Sequence, residues 1–211
     1  MPARRSFLAS LAAMSLAKLS IPTNVAAEEP VSDGPWDLSW LDGLKGKHKQ
    51  VFDVSTIDGA LLIVTNYYDA FEEVLGVRHP KVNAVIGIAR SAYPINAVDA
   101  VWAKYELGRR WNVMDPETKT FATRNIFMDR APAPAGKVVG VRPLQTRGAI
   151  FWQCNNALNR IVDIFSSELS LDRTKVREEL VAGLNPGVKL IPAHTMFLGL
   201  AQERGCAYEK V

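Results

Sequence analysis

The sequence predicts an α/β fold, with one domain built on a mostly parallel five-stranded sheet that carries helices on both faces. Short apolar or β-branched runs alternate with longer segments of helical periodicity, which is the pattern of strand–helix–strand units. After removal of a leader, the remaining length is that of a single domain. The predicted strands cover residues 51–56, 82–88, 149–152, 188–193 and 206–211.

Residues 1–27 have the features of an export signal. Arg4 and Arg5 precede a run rich in Ala and Leu, and the small residues 25–27 offer a cleavage site before Glu28. We expect export by the twin-arginine route to the periplasm, with a mitochondrial presequence as the alternative. Because Lys18 interrupts the apolar run, we expect no membrane attachment after cleavage.

The charge balance argues against a nucleic-acid partner. The chain has 25 Lys and Arg against 22 Asp and Glu, and the leader holds three of the basic residues and no acidic one. The mature protein therefore has 22 residues of each sign. Nucleic-acid binding requires a clustered basic face, which this sequence does not show.

The amino-terminal half contains an arm, a strand and a strongly apolar helix. Residues 28–47 are polar and rich in glycine, and they predict an irregular arm that precedes the α/β domain at 48–211. After the first strand, Asp58 can cap a helix whose apolar residues recur at three- and four-residue spacing between Leu61 and Leu75. This helix is apolar on two sides, which favours a subunit interface and hence a homo-oligomer.

The region that follows the second strand is less regular. Asn96 is placed to cap a helix over 97–107, and residues 112–147 form a long insertion with turn-forming and proline-rich stretches. Long loops inside compact domains are usually functional or disordered. The insertion either folds over the site or reaches a neighbouring subunit, or it is a variable surface loop.

Cys154 lies where the sequence most resembles a functional site. The apolar run 149–152 predicts a buried strand, Asn155 or Asn156 offers a helix N-cap, and 157–169 has helical periodicity. Cys154 should therefore lie at the carboxyl end of a strand, beside a helix N-terminus. Ligands bind at that edge of open α/β sheets, and the helix dipole favours a thiolate. The alternative is a buried, inert cysteine.

His194 follows the fourth predicted strand, so it should lie at the same edge as Cys154. An imidazole there would activate the thiol, whereas a helix-capping or interface histidine is the alternative. Histidines and cysteines show no metal-ligand spacing, and no glycine-rich phosphate fingerprint follows a strand. We therefore expect no metal and no cofactor. The sequence does not decide whether Cys154 and Cys206 form a disulfide.

Three stretches of the carboxyl-terminal third together resemble DsrE/DsrF-like proteins. They are Phe151–Leu158 with its strand–Cys–helix order, Asn185–Ala193 with its Gly-Val and apolar-Pro sequence, and Leu200–Tyr208 with its Gln, Gly and Tyr spacing. The resemblance implies a five-stranded sheet of flavodoxin-like layout that assembles into oligomers. It also implies sulfur relay through a persulfide on Cys154, with a sulfur-donor or sulfur-acceptor protein as partner. The arm, the insertion and the export signal depart from the family pattern.

The sequence leaves three function classes open. Cys154 can accept and pass on sulfane sulfur, the same edge can bind a small ligand without covalent chemistry, or the insertion can bind a partner. Whether the chain is an enzyme stays undecided among them.

Overall fold

A computed structural model describes residues 36–211, in which five strands form one sheet in the order β4-β3-β2-β1-β5, with all neighbours parallel. This confirms the predicted fold class and is consistent with a flavodoxin-like layout. The predicted signal segment and residues 28–35 of the arm lie outside the described residues. The strands are β1 (His48–Val54), β2 (Val82–Ile88), β3 (Ile150–Cys154), β4 (Lys189–Ile191) and β5 (Ala207–Lys210).

In the described part of the chain, seven α-helices connect or cover the strands. They are α1 (Ala60–Leu75), α2 (Asp99–Lys104), α3 (Leu107–Arg110), α4 (Val141–Thr146), α5 (Asn155–Leu169), α6 (Arg173–Ala182) and α7 (His194–Glu203), with 3₁₀ turns at Ser39–Gly43 and Tyr93–Asn96. Across residues 36–211, none of the helices has the length and apolar character required to cross a bilayer.

The helix expected over 97–107 is interrupted. Glu106 adopts a left-handed conformation with φ of 50°, which a continuing right-handed helix does not allow, so α2 and α3 are separate. The expected cap is also wrong, because the N-cap position of α2 is Val98 and makes no side-chain cap hydrogen bond. Asn96 is instead fully buried.

The two faces of the sheet are covered unequally. From β1 to β4 each strand is added on the same side of its predecessor, so right-handed crossovers place the connecting helices on one face. Only the return from β4 to β5 crosses the other face, which α7 covers together with the 3₁₀ turn of the arm. There Trp40 stacks on Phe197, with ring centroids 5.8 Å apart, and Trp152 packs beside both.

The insertion at 112–147 is part of the larger core. Its buried apolar residues pack with α1 and α2, and Trp102 of α2 lies against Phe127 with ring centroids 6.1 Å apart. Asp69 of α1 pairs with both Lys137 and Arg147. The insertion therefore stabilises the helical layer on the first face of the sheet.

Candidate functional site

Cys154 is the last residue of β3 and the N-cap of α5. Its Sγ accepts a hydrogen bond from the backbone N–H of Ala157 at 3.4 Å. The thiol itself thus performs the capping role that the sequence assigned to Asn155 or Asn156. Only 4% of the residue is exposed.

A second helix also begins at this sulfur. The backbone N–H of His194, the first residue of α7, donates to Cys154 Sγ at 3.3 Å. Helix N-termini carry unsatisfied N–H groups and the positive end of the helix dipole. Two such ends meet at one sulfur atom, which accepts a hydrogen bond from each helix. The structure therefore brings the two predicted site residues into direct contact, through the amide of His194.

The imidazole of His194 is held by hydrogen bonds at both nitrogens. The indole Nε1–H of Trp152 donates to Nδ1 at 3.1 Å, and Nε2 lies 2.8 Å from Asp53 Oδ1. An indole nitrogen can only donate, so Nδ1 must be the acceptor and Nε2 must carry the proton. The side chain of His194 is thus a bridge between β3 and β1, with both nitrogens engaged by partners other than Cys154.

Asp53 continues the hydrogen-bonded chain to the surface. Its Oδ2 accepts a hydrogen bond from the Tyr208 hydroxyl at 2.8 Å, and Tyr208 is 46% exposed. The hydrogen bond to the carboxylate, with burial and the Asp53 charge, raises the pKa of Tyr208. The result is a line of polar groups from Trp152 through His194 and Asp53 to solvent, which we call the His194 network.

Gly87 makes room for the first member of the His194 network. Gly87 and Trp152 are register partners on β2 and β3. A Cβ at Gly87 would lie 2.5 Å from the indole Cζ2, closer than real contacts allow. The missing side chain lets the indole lie close to β2 at Gly87, in the position from which its N–H donates to His194.

Buried asparagines fix the loop that follows β2 at the same edge of the sheet. Asn96 Nδ2 donates to the carbonyl of Trp152 at 3.0 Å and to Gln153 Oε1 at 3.2 Å. Asn125, from the insertion, donates to the carbonyls of Ile95 and Ala97. One contribution of the insertion is therefore to brace the loop beside Cys154.

Cys206 does not take part in the site. Both thiols are free. Cys206 lies just before β5, where the parallel strands begin, whereas Cys154 is the last residue of β3, where the strands end. Burial raises the pKa of Cys206. Within residues 36–211, no cluster of three or more His, Cys, Asp or Glu side chains could hold a metal ion.

The sequence interpretation missed Asp53 and Tyr208. Asp53 did carry a signal, since a carboxylate inside the apolar stretch 51–54 needs a partner. Tyr208 was singled out only as part of the resemblance, and its contact with Asp53 was hidden because it joins residues 155 positions apart.

Comparisons with known proteins do not show a family for this chain. No family model matches it, and no curated protein matches it. A solved structure described as a protein of unknown function, MTH1491 from Methanobacterium thermoautotrophicum, is similar at a TM-score of 0.41 and 13% identity. The alignment covers 78% of this chain and 99% of that one.

Proposed function

We propose that this chain is a DsrE-like protein that carries sulfane sulfur on Cys154. The supporting observation is the convergence of two backbone N–H groups, from the N-termini of α5 and α7, on Cys154 Sγ. Such donors stabilise a thiolate, the nucleophilic form of cysteine that starts the transfer.

The proposed reaction is a sulfur exchange without net oxidation. The Cys154 thiolate attacks the outer sulfur of a small hydropersulfide, R–S–SH. A bond forms between Sγ and that sulfur, the original S–S bond breaks, and R–S⁻ leaves. The proton moves with the transferred sulfur. Because Cys154 is 96% buried, the geometry favours a small donor over a bulky one. The thiolate of a small acceptor would remove the sulfur by the same step.

His194 contributes to this proposal through its amide. The ring is occupied by Trp152 and Asp53, so its effect is to hold the first turn of α7 against β1 and β3. A His194→Ala variant keeps the backbone N–H and loses the bridge. We therefore expect slowed sulfur uptake in that variant, and complete loss only in Cys154→Ser.

The deciding experiment is mass spectrometry of the protein after incubation with sodium disulfide. We expect a mass gain of one sulfur atom, mapped to Cys154 by digestion after alkylation. Cys206→Ser is the matched control and should load normally. Sulfur on Cys206 alone, or no mass gain, would refute the proposal.

A non-catalytic, partner-binding oligomer is the second candidate. Val74 and Leu75, at the carboxyl end of α1, are 77% and 55% exposed, which supports an apolar contact with a second copy. Light scattering should give a mass above the monomer, and Val74→Lys should lower it. A monomeric wild-type protein at micromolar concentration would exclude this assembly.

Export by the twin-arginine route remains part of the proposal and rests on Arg4 and Arg5 before the apolar run. Replacing both with lysine should leave the precursor in the cytoplasm. Undiminished mature protein in the periplasm would indicate another route.

A further inference from the structure

A groove of about 420 Å³ opens just beyond the carboxyl end of β2, on the first face of the sheet. This volume lies within the range of small-ligand sites, and the carboxyl ends of parallel strands are where open α/β sheets bind ligands. The residues that line it include Arg90, Ser91, Arg110, Trp111, Ile164 and Phe165.

The apolar wall of the groove is an ordered aromatic cluster. The Trp111 indole N–H donates to the carbonyl of Ser91 at 2.8 Å, and Trp111 meets Phe165 edge-on at 6.5 Å between centroids. Tyr105 stacks behind Phe165 at 4.8 Å. Phe165 is only 2% exposed and supports the half-buried Trp111 from behind, so the open part of this wall is the Trp111 indole together with Ile164, which is 38% exposed.

The two arginines of the groove differ in their partners. Arg110 pairs with Glu168, donates to the carbonyl of Tyr105, and lies over the Phe165 ring at 4.6 Å. Arg90 is exposed, and among residues 36–211 its side chain has no hydrogen bond and no ion pair. The groove therefore combines one uncompensated positive charge with a preformed aromatic wall.

We propose that this groove binds a small monoanion with a flat apolar body, of the aromatic carboxylate class. The carboxylate pairs with Arg90, whose guanidinium can bind it through two N–H groups. The apolar body lies against Trp111 and Ile164. Because Arg110 is already paired with Glu168, Arg90 supplies the one unpaired positive charge of the groove. The groove should therefore bind a monoanion in preference to a dianion. The groove does not include Cys154, so this binding is independent of the sulfur chemistry.

The test uses 2-naphthoate as the probe and follows the Trp111 indole N–H signal by NMR, assigned with Trp111→Phe. We expect saturable displacement of that signal by 2-naphthoate and weaker effects from the neutral 2-naphthalenemethanol. Loss of one charge-assisted contact should weaken 2-naphthoate binding about tenfold in Arg90→Gln, without changing the binding of the alcohol.

Arg109→Gln is the matched control, because Arg109 is an exposed arginine of α3 that lies over Phe121 outside the groove. It should bind 2-naphthoate as the wild type does, and so should Cys154→Ser. Equal binding of the acid and the alcohol, unchanged binding in Arg90→Gln, or no saturable shift at Trp111 would each overturn the proposal.

Discussion

His194 and Asp53 are 141 residues apart in the chain, and their side chains are joined by a hydrogen bond of 2.8 Å between Nε2 and Oδ1. The bond links the first residue of α7 to the end of β1, two strands away from Cys154. Because the same α7 residue donates its amide to Cys154 Sγ, the position of that donor depends on a carboxylate on another strand. The His194 network is therefore the mechanical support of the candidate site.

The first prediction concerns the tautomer of His194. Since Trp152 can only donate to Nδ1, the proton should reside on Nε2 at neutral pH. Nitrogen-15 NMR of the imidazole should show a protonated Nε2 and an unprotonated Nδ1. Trp152→Phe removes the donor and should release this preference. A proton on Nδ1 in the wild-type protein would contradict the assigned network.

The second prediction concerns Tyr208. The hydrogen bond to the Asp53 carboxylate raises the pKa of Tyr208 above its ordinary value of 10.0. Asp53→Asn removes the negative charge, so the pKa of Tyr208 should fall toward that value. Titration of carbon-13 labelled tyrosine, with Tyr208→Phe for assignment, measures the change.

Tyr105 is the internal control for this titration. Burial, together with a hydrogen bond to Glu179, raises the pKa of Tyr105, and Asp53 takes no part in that shift. The Tyr105 titration should therefore be the same in the wild type and in Asp53→Asn. A Tyr208 curve that also stays unchanged would mean that the carboxylate does not control the phenol.

The junction at Cys154 was predictable because it depends on local sequence. A short apolar run, a polar interruption and a helical stripe follow one another within about twenty residues, and each has a distinct periodicity. The five strands were found for the same reason. The identity of the cap was missed because a thiol seldom takes the role usually filled by Ser, Thr, Asp or Asn.

The support around the junction was not predictable, because it is built from contacts between distant strands. Nothing in the order of residues shows that Tyr208 meets Asp53, or that Gly87 lies beneath Trp152. These pairings follow from the strand order and register, which put β5 beside β1 and β2 beside β3. The break at Glu106 was similarly hidden, since a glutamate seldom adopts the left-handed conformation that this residue has.

The third prediction tests the space under Trp152. In Gly87→Ala the new Cβ would meet the indole at 2.5 Å, so Trp152 must move and its hydrogen bond to His194 must weaken. Overpacking of this kind costs about 1–3 kcal/mol. Urea unfolding should show that loss of stability.

Gly199→Ala is the matched control for this substitution. Gly199 lies within α7, and a Cβ there meets nothing within 4 Å. Replacing glycine by alanine inside a helix should stabilise the protein by about 0.5–1 kcal/mol. Equal effects of the two substitutions would show that Trp152 does not need the space at Gly87.

The last prediction concerns acid stability and the attachment of the insertion to α1. Burial acts to raise the pKa of Asp69, but hydrogen bonds and charges from Lys137 and Arg147 outweigh it and lower the pKa below 3.8. A carboxyl group with a lowered folded-state pKa stabilises the fold above its unfolded pKa, and that contribution disappears as the pH falls through the folded-state pKa. Asp69→Asn should therefore cost about 0.5–1 kcal/mol at pH 7, the upper range for partly exposed ion pairs. The difference from wild type should vanish in acid, because both side chains are then neutral.

Asp163→Asn is the control for this prediction. It removes a more exposed pair with Arg173 and should change stability little at either pH. Unfolding free energies from urea titrations at pH 7 and at a pH below the lowered folded-state pKa of Asp69 measure both effects. A cost for Asp69→Asn that persists undiminished in acid would assign the loss to packing rather than to the ion pairs that hold the insertion on α1.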